Sequence, residues 1–299
     1  MRTRFLAVAV QPLFVVLWSS AFIAGIIGVG AAPPMTVLFA RFAIAGLLLA
    51  AYAVAVHATW PRGRQLRHVA VAGLLMQAVQ FGAFYTAMNE HVPAAVIALV
   101  QGLNPVVIAL FAGVLGESVS ARQWFGFGIG GVGVGLAVFD QSNFSLIGLL
   151  LCVLGLLGLS IGTVYQKRFV PAVDPRASTA VHVLVSAPVA GVLAVLTGQL
   201  EVWDVPGFAG ALTWMVLVNS MAAFLLLNAM LRYWDATRVG RLFFATPAVT
   251  AVLAWVLIDQ PVRPLTFAGL GVGLLGMVFA SRRPAAARSR TPRPVLAAR

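Results

Sequence analysis

The run AAVIALVQGLNPVVIALFAGVLGES, residues 94–118, sets the architecture. It is apolar for long enough to cross a bilayer, is interrupted near its middle by Asn104-Pro105, and closes on Glu117. A second run, ATRVGRLFFATPAVTAVLAWVLIDQ at residues 236–260, repeats the plan, with Pro247 at the interruption and Asp259 near the end. Pro247 follows Pro105 by 142 residues, and Asp259 follows Glu117 by the same 142. The same offset pairs Ala87-Met88 with Ala229-Met230 and Gln77 with Asn219. After each acid comes a glycine series, Gly126, Gly128, Gly130 and Gly133, then Gly269, Gly271, Gly273 and Gly276, now offset by 143. Single Gly or Ala matches carry little weight in so apolar a chain. The ordered set of proline, acid and glycines identifies an internal duplication.

Composition sets the class. Of the 299 residues 61% are hydrophobic and 9% charged, and the mean hydropathy is +0.97. Soluble domains carry about 25% charged residues, so this chain cannot cover its surface with polar groups and reads as an all-α integral membrane protein. The net charge of +12 does not point to nucleic acid, because the basic residues sit in short clusters between apolar runs. The single cysteine, Cys152, excludes a disulfide within the chain. The four histidines form no pair at metal-ligand spacing, so neither a metal nor a cofactor is expected.

A helical span needs roughly 20 apolar residues. Ten segments qualify, at about 6–28, 34–56, 69–88, 94–115, 122–139, 144–166, 178–197, 209–231, 237–258 and 265–281. The first, MRTRFLAVAVQPLFVVLWSSAFIAGIIGV, is too long for a signal peptide and reads as a retained span. Two repeats, 1–139 and 144–281, each hold five spans, and the Arg- and Pro-rich tail 282–299 reads as disordered. With a cytoplasmic N-terminus, eleven basic residues before the tail fall on the inner side and only Arg263 on the outer side. The positive-inside rule then puts both termini in the cytoplasm. An odd number of spans per repeat makes the second copy enter the membrane from the opposite face. Inverted repeats of this kind supply two related conformations, one open to each side, and so point to a carrier.

Each proline removes an amide and frees the carbonyl four residues earlier, that of Gln101 in span 4 and of Phe243 in span 9. Such groups need a neighbour or a cavity in hydrocarbon. Gln101 and Asn104 lie beside the first break, and Gln77, Gln80 and Tyr85 in span 3 and Asn219 in span 8 face it. These residues are candidates to line a substrate cavity, with bonding between neighbouring helices as the alternative use of an amide. Pro105 and Pro247 are candidate hinges. Arg41 and Arg241 lie within spans, where an ionisable residue marks a substrate path or snorkels to the headgroups. An arginine in a cavity would suit a carboxylate or phosphate. Glu117 and Asp259, twelve residues beyond their prolines, fall at the membrane interface and suit anchoring or gating. All eight acids lie outside the middle of the spans, so a carboxylate proton relay has no candidate, and uniport or exchange is the simpler coupling. The glycines suit helix packing within the chain or against a second copy, which leaves monomer and homodimer both open.

Two sets of five spans in this order resemble the drug/metabolite transporter superfamily in its EamA-type branch. The matching residues are Trp18-Ser19-Ser20-Ala21-Phe22, Arg41-Phe42, Pro105, Glu117, Gly126 and Gly133, then Pro247, Gly269 and Gly276, with Asp259 where the family more often has Glu. The resemblance implies a bacterial inner-membrane exporter of amino acids or other small metabolites, or of drugs. It also implies a central cavity walled by spans 1, 3, 4, 6, 8 and 9, with Trp18, Gln77, Gln101, Asn104 and Asn219 among its lining. Arg241 fits no part of that pattern. A channel and an intramembrane enzyme are the readings from other classes. The enzyme would need clustered acids, histidines or an activated nucleophile.

Overall fold

A computed structural model describes residues 2–114, 120–139, 145–170, 173–234, 239 and 241–281. Among these residues the chain forms helices and no strand. We number the helices α1 (Arg2–Ala31), α2 (Pro34–Ala55), α3 (Gly63–Asn89), α4 (Ala94–Gly102 and Asn104–Val114), α5 (Ala121–Phe139), α6 (Leu146–Phe169), α7 (Pro175–Leu196), α8 (205–233), α9 (Phe243–Ile258) and α10 (Pro264–Ser281). Seven of these, α1 to α4 and α6 to α8, are long and apolar enough to cross a membrane. The apolar parts of α5, α9 and α10, at Trp124–Ala137, Phe243–Ile258 and Pro264–Phe279, are shorter. Glu117 and the tail 282–299 lie outside the described residues.

The helix ends follow local chemistry. Proline opens α2 and α7 at the first helical position, where its missing N–H has no partner to lose. Asp174 caps α7 by accepting the Arg176 N–H at 3.0 Å, and the Arg176 guanidinium grips both oxygens of the same carboxylate. That grip holds the Asp174 carboxyl below its ordinary titration range. Ser145 caps α6 by accepting from the Gly148 N–H at 3.3 Å. Asp259 ends α9 in the left-handed conformation, with φ of 48°.

The main helix pairs are α5 with α10, α2 with α7, α4 with α9, α3 with α6, α1 with α8, α3 with α7, α2 with α8, α1 with α9, and α4 with α6. Shifting every helix number by five maps this set onto itself, since α3–α6 becomes α8–α1 and α1–α9 becomes α6–α4. Glycines set the closest pair. A Cβ on Gly133 would lie 2.5 Å from the backbone nitrogen of Gly273, and one on Gly276 would lie 2.6 Å from that of Gly130. Here α5 and α10 touch backbone to backbone, and Gly130, Gly133, Gly269, Gly273 and Gly276 of the two series pack inside the chain. Gly128, Gly131, Gly135 and Gly271 have open space instead. Large apolar side chains such as Leu47, Phe125 and Trp255 stand exposed on the bundle exterior, the surface that a bilayer would cover.

Candidate functional site

The bundle encloses a cavity of about 380 Å³, within the range of small-molecule sites. Four helices bring most of its polar side chains. Two of them are broken. Helix α4 stops at Gly102 and restarts at Asn104, where the Leu103 N–H bonds to the Val100 carbonyl, three residues back, at 3.0 Å. Helix α9 opens with a tight turn at Phe243–Ala245, in which the Thr246 N–H takes the Phe243 carbonyl. The carbonyl that Pro247 frees is therefore re-bonded locally, as hydrocarbon requires. The two breaks stand at the positions paired by the 142-residue offset, Asn104-Pro105 and Thr246-Pro247.

The other two helices are widened. Within α3, residues Leu74–Val79 bond five residues back, so that the Gln80 N–H reaches the Leu75 carbonyl. Within α8, Trp214–Ala222 does the same, and the Ala223 N–H reaches the Val218 carbonyl. Such π turns are rare and cluster at functional sites. They hold Gln77 and Asn219, again paired by the offset. Helix α6 fits against the first of them: a Cβ on Gly158 would come within 2.9 Å of the Leu75 carbonyl. Only a glycine lets α6 lie that close to the swollen turn.

All seven residues that the sequence offered as substrate ligands, Trp18, Arg41, Gln77, Tyr85, Gln101, Asn104 and Asn219, line this one cavity. The Gln80 amide donates to Gln101 Oε1 at 3.3 Å, and the Ser160 hydroxyl of α6 donates to Asn104 Oδ1 at 2.8 Å. In the other half the Ser19 hydroxyl of α1 donates to the Thr246 carbonyl at 3.3 Å. Each broken helix is thus held by a serine of the helix beside it. Asn219 donates from Nδ2 to the Leu17 carbonyl at 2.7 Å and to Ser20 Oγ at 3.1 Å. A carbonyl only accepts, so the amide orientation is fixed and Asn219 Oδ1 points away from Leu17, buried without a partner. Phe22, Phe81, Phe84, Phe243 and Phe244 complete the wall. Trp18 meets Phe243 edge to face at 5.0 Å between ring centres.

Arg41 is buried on the cavity wall. One of its terminal nitrogens donates to the Tyr85 hydroxyl at 2.7 Å, and its guanidinium carbon stands 4.6 Å from the centre of the Phe81 ring. Tyr85 in turn donates to the Met215 sulfur of α8 at 2.9 Å. Arg41 thus lies inward, on the cavity wall, and not on the exterior of the bundle. Arg241 is exposed and stands outside the lining.

The two prolines differ. Pro105 lines the cavity, whereas Pro247 is buried and outside the lining, packed beside Gly102. Asp259 is exposed. Its neighbour Gln260 makes the contact across the bundle, accepting from the Ala94 N–H at the start of α4 at 3.1 Å. Sequence reasoning missed Thr246, although the offset from Asn104 would have found it. It also missed Met215 and Gln260, for which no sequence signal exists.

The model of the EamA-like transporter family matches residues 7–139 and 146–282, one copy on each half. The chain belongs to the EamA-like transporter family. Relatives agree with the assignment. The protein named "Uncharacterized inner membrane transporter YedA" of Escherichia coli K12 is 25% identical over 268 residues, covering 88% of this chain and 87% of its own. A protein of Archaeoglobus fulgidus named "Uncharacterized transporter" is 24% identical over 280 residues, covering 92% and 98%. One of Streptantibioticus cattleyicolor, named "Probable terminal-alkyne amino-acid exporter", is 27% identical over 318 residues, covering 96% and 97%. A solved crystal structure superposes with a TM-score of 0.66 at 21% identity, over 91% of this EamA chain and 95% of its own. That likeness concerns the fold alone.

Proposed function

We propose that this EamA-family protein is an alternating-access carrier that moves a small metabolite, such as an amino acid or a related compound, out of the cell. The observation that carries the reading is the cavity itself: both halves of the duplication line it, and two helices break beside it at paired positions. A helix pairing that survives a shift of five supports two five-helix repeats inserted in opposite senses, with ten spans in all. The basic clusters favour a cytoplasmic position for both termini, and the relative from Escherichia coli supports the inner membrane as the site of residence. In this reading Gln77, Gln101, Asn104 and Asn219 contact the cargo, while Pro105 gives the cavity-side flexure and Pro247 a packed pivot. The exporter named among the relatives supports an amino acid or a close relative as cargo. The aromatic wall favours one other reading, efflux of a partly apolar toxic compound.

The test is a metabolite screen in cells that overproduce the protein, scoring both tolerance and appearance of the compound outside. Saturable export that falls when Gln101→Ala or Asn104→Ala is introduced, in a protein that still inserts and folds, supports the carrier. Conductance without saturation would replace it with a channel.

A further inference from the structure

Arg41 is the one charged residue on the cavity wall among the described residues. It is buried to 7% of its free exposure. Among the described residues no carboxylate lies within ion-pair reach of it. A guanidinium offers five N–H donors in a planar fork, and the hydrogen bond it makes here is the single one to Tyr85. A charge held in a low-dielectric wall is costly unless something answers it. The Phe81 ring answers part of it, from 4.6 Å. The remaining donors have no hydrogen-bond partner among the described residues.

We propose that Arg41 recognises the anionic group of the cargo, and that the cargo is a monocarboxylate with an apolar body. This deepens the carrier reading and rests on it. One fixed positive charge with no second cation beside it balances one negative charge. A phosphate, nearer two charges at neutral pH, would leave an excess inside the wall. The fork matches a carboxylate with two parallel hydrogen bonds. The body of the cargo would lie against Trp18, Phe84 and Phe243, which share the same cavity. Tyr85 is a positioning residue. It gives its proton to the Met215 sulfur of α8 and so turns a lone pair toward Arg41, which fixes the fork from the opposite half of the chain.

The experiment measures binding by the purified full-length protein in lipid nanodiscs, using 3-phenylpropionate, its neutral isostere 3-phenylpropanamide, and 2-phenylethylphosphonate. The acid is expected to bind on the order of tenfold tighter than the amide, the range of one charge-assisted hydrogen-bonded contact, and tighter than the phosphonate. Arg41→Gln is expected to erase the acid-over-amide preference, Arg41→Lys to restore part of it, and Tyr85→Phe to reduce the acid-to-amide ratio. Equal binding of acid and amide to the unaltered protein overturns the proposal, and that arm needs no variant to fold. Tighter binding of the phosphonate, or binding of none of the three, overturns it too. If Arg41 only braced α2 to α3, Arg41→Gln would lower Tm and leave the acid-to-amide ratio as it was, which also sinks the proposal. Saturable export of a cationic or neutral compound, with no acid preference, would keep the carrier and discard this inference. Absence of saturable export of any compound would discard the carrier.

Discussion

Replacing Asn219 by Asp tests the geometry of the cavity more sharply than replacing it by Ala. The side-chain nitrogen directs its donors to helix α1, toward the Leu17 carbonyl at 2.7 Å and Ser20 Oγ at 3.1 Å. Hydrogen bonds between membrane helices average about 0.6 kcal/mol each, so Asn219→Ala forfeits roughly 1 kcal/mol. It also removes Oδ1, buried without a partner, a burden of about 1–3 kcal/mol. Ser20 still donates to the Leu17 carbonyl at 2.7 Å, so no orphan appears on α1. The Ala variant should therefore be as stable as the parent or more stable by up to about 2 kcal/mol. Asn219→Asp keeps the unpartnered oxygen and turns a second, charged oxygen toward the Leu17 carbonyl. Its loss should be roughly 3 kcal/mol, or a fall in Tm of about 6–12 °C. Thermal unfolding in detergent at neutral pH reads both variants. An Asp variant as stable as the parent, or an Ala variant less stable than the Asp one, would refute the assigned orientation of the amide.

Other outcomes follow from the same contacts. Gly133→Ala places a methyl group 2.5 Å from the Gly273 nitrogen and should destabilise the bundle by about 1–3 kcal/mol. Gly131→Ala, with nothing nearby, should leave Tm unchanged. Ser160→Ala removes the hydroxyl that holds Asn104 Oδ1 and should lower export more than it lowers Tm. Asp174 sits in a loop, where Arg176 holds its carboxyl below the ordinary range. A depressed folded pKa gives stability that is present above the ordinary carboxylate range and lost as pH falls through the folded value. Acid unfolding curves of Asp174→Asn and the parent should therefore diverge at neutral pH and converge at low pH.

Much of this was legible in the chain because lipid leaves few options. Apolar runs become helices, and Asn104-Pro105 and Thr246-Pro247 break them where the sequence puts proline. Gln77 and Asn219 could be placed across from one another because the duplication pairs their positions, and Gln101 and Asn104 because they lie beside the proline break. What escaped reading depends on rotation and contact between distant helices. The widened turns at Leu74–Val79 and Trp214–Ala222 carry no residue signature, since a π turn differs from an α turn by how one residue is accommodated. Pro247 turns away from the cavity because its helix packs beside Gly102. The contact across the bundle beside Asp259 comes from Gln260, which follows the left-handed turn and which no sequence pattern marks. The link from Arg41 through Tyr85 to Met215 ends on a step between residues 130 apart in the chain, which no local pattern records.

Alternating access requires that one cavity, shared by two oppositely inserted halves, open in turn to each face of the membrane. A single cysteine at Gln101, in a Cys152→Ser background, tests this with a membrane-impermeant thiol reagent applied to right-side-out and to inside-out vesicles. Modification is expected from both faces, slowed from either one by cargo. Modification from one face only would contradict the mechanism.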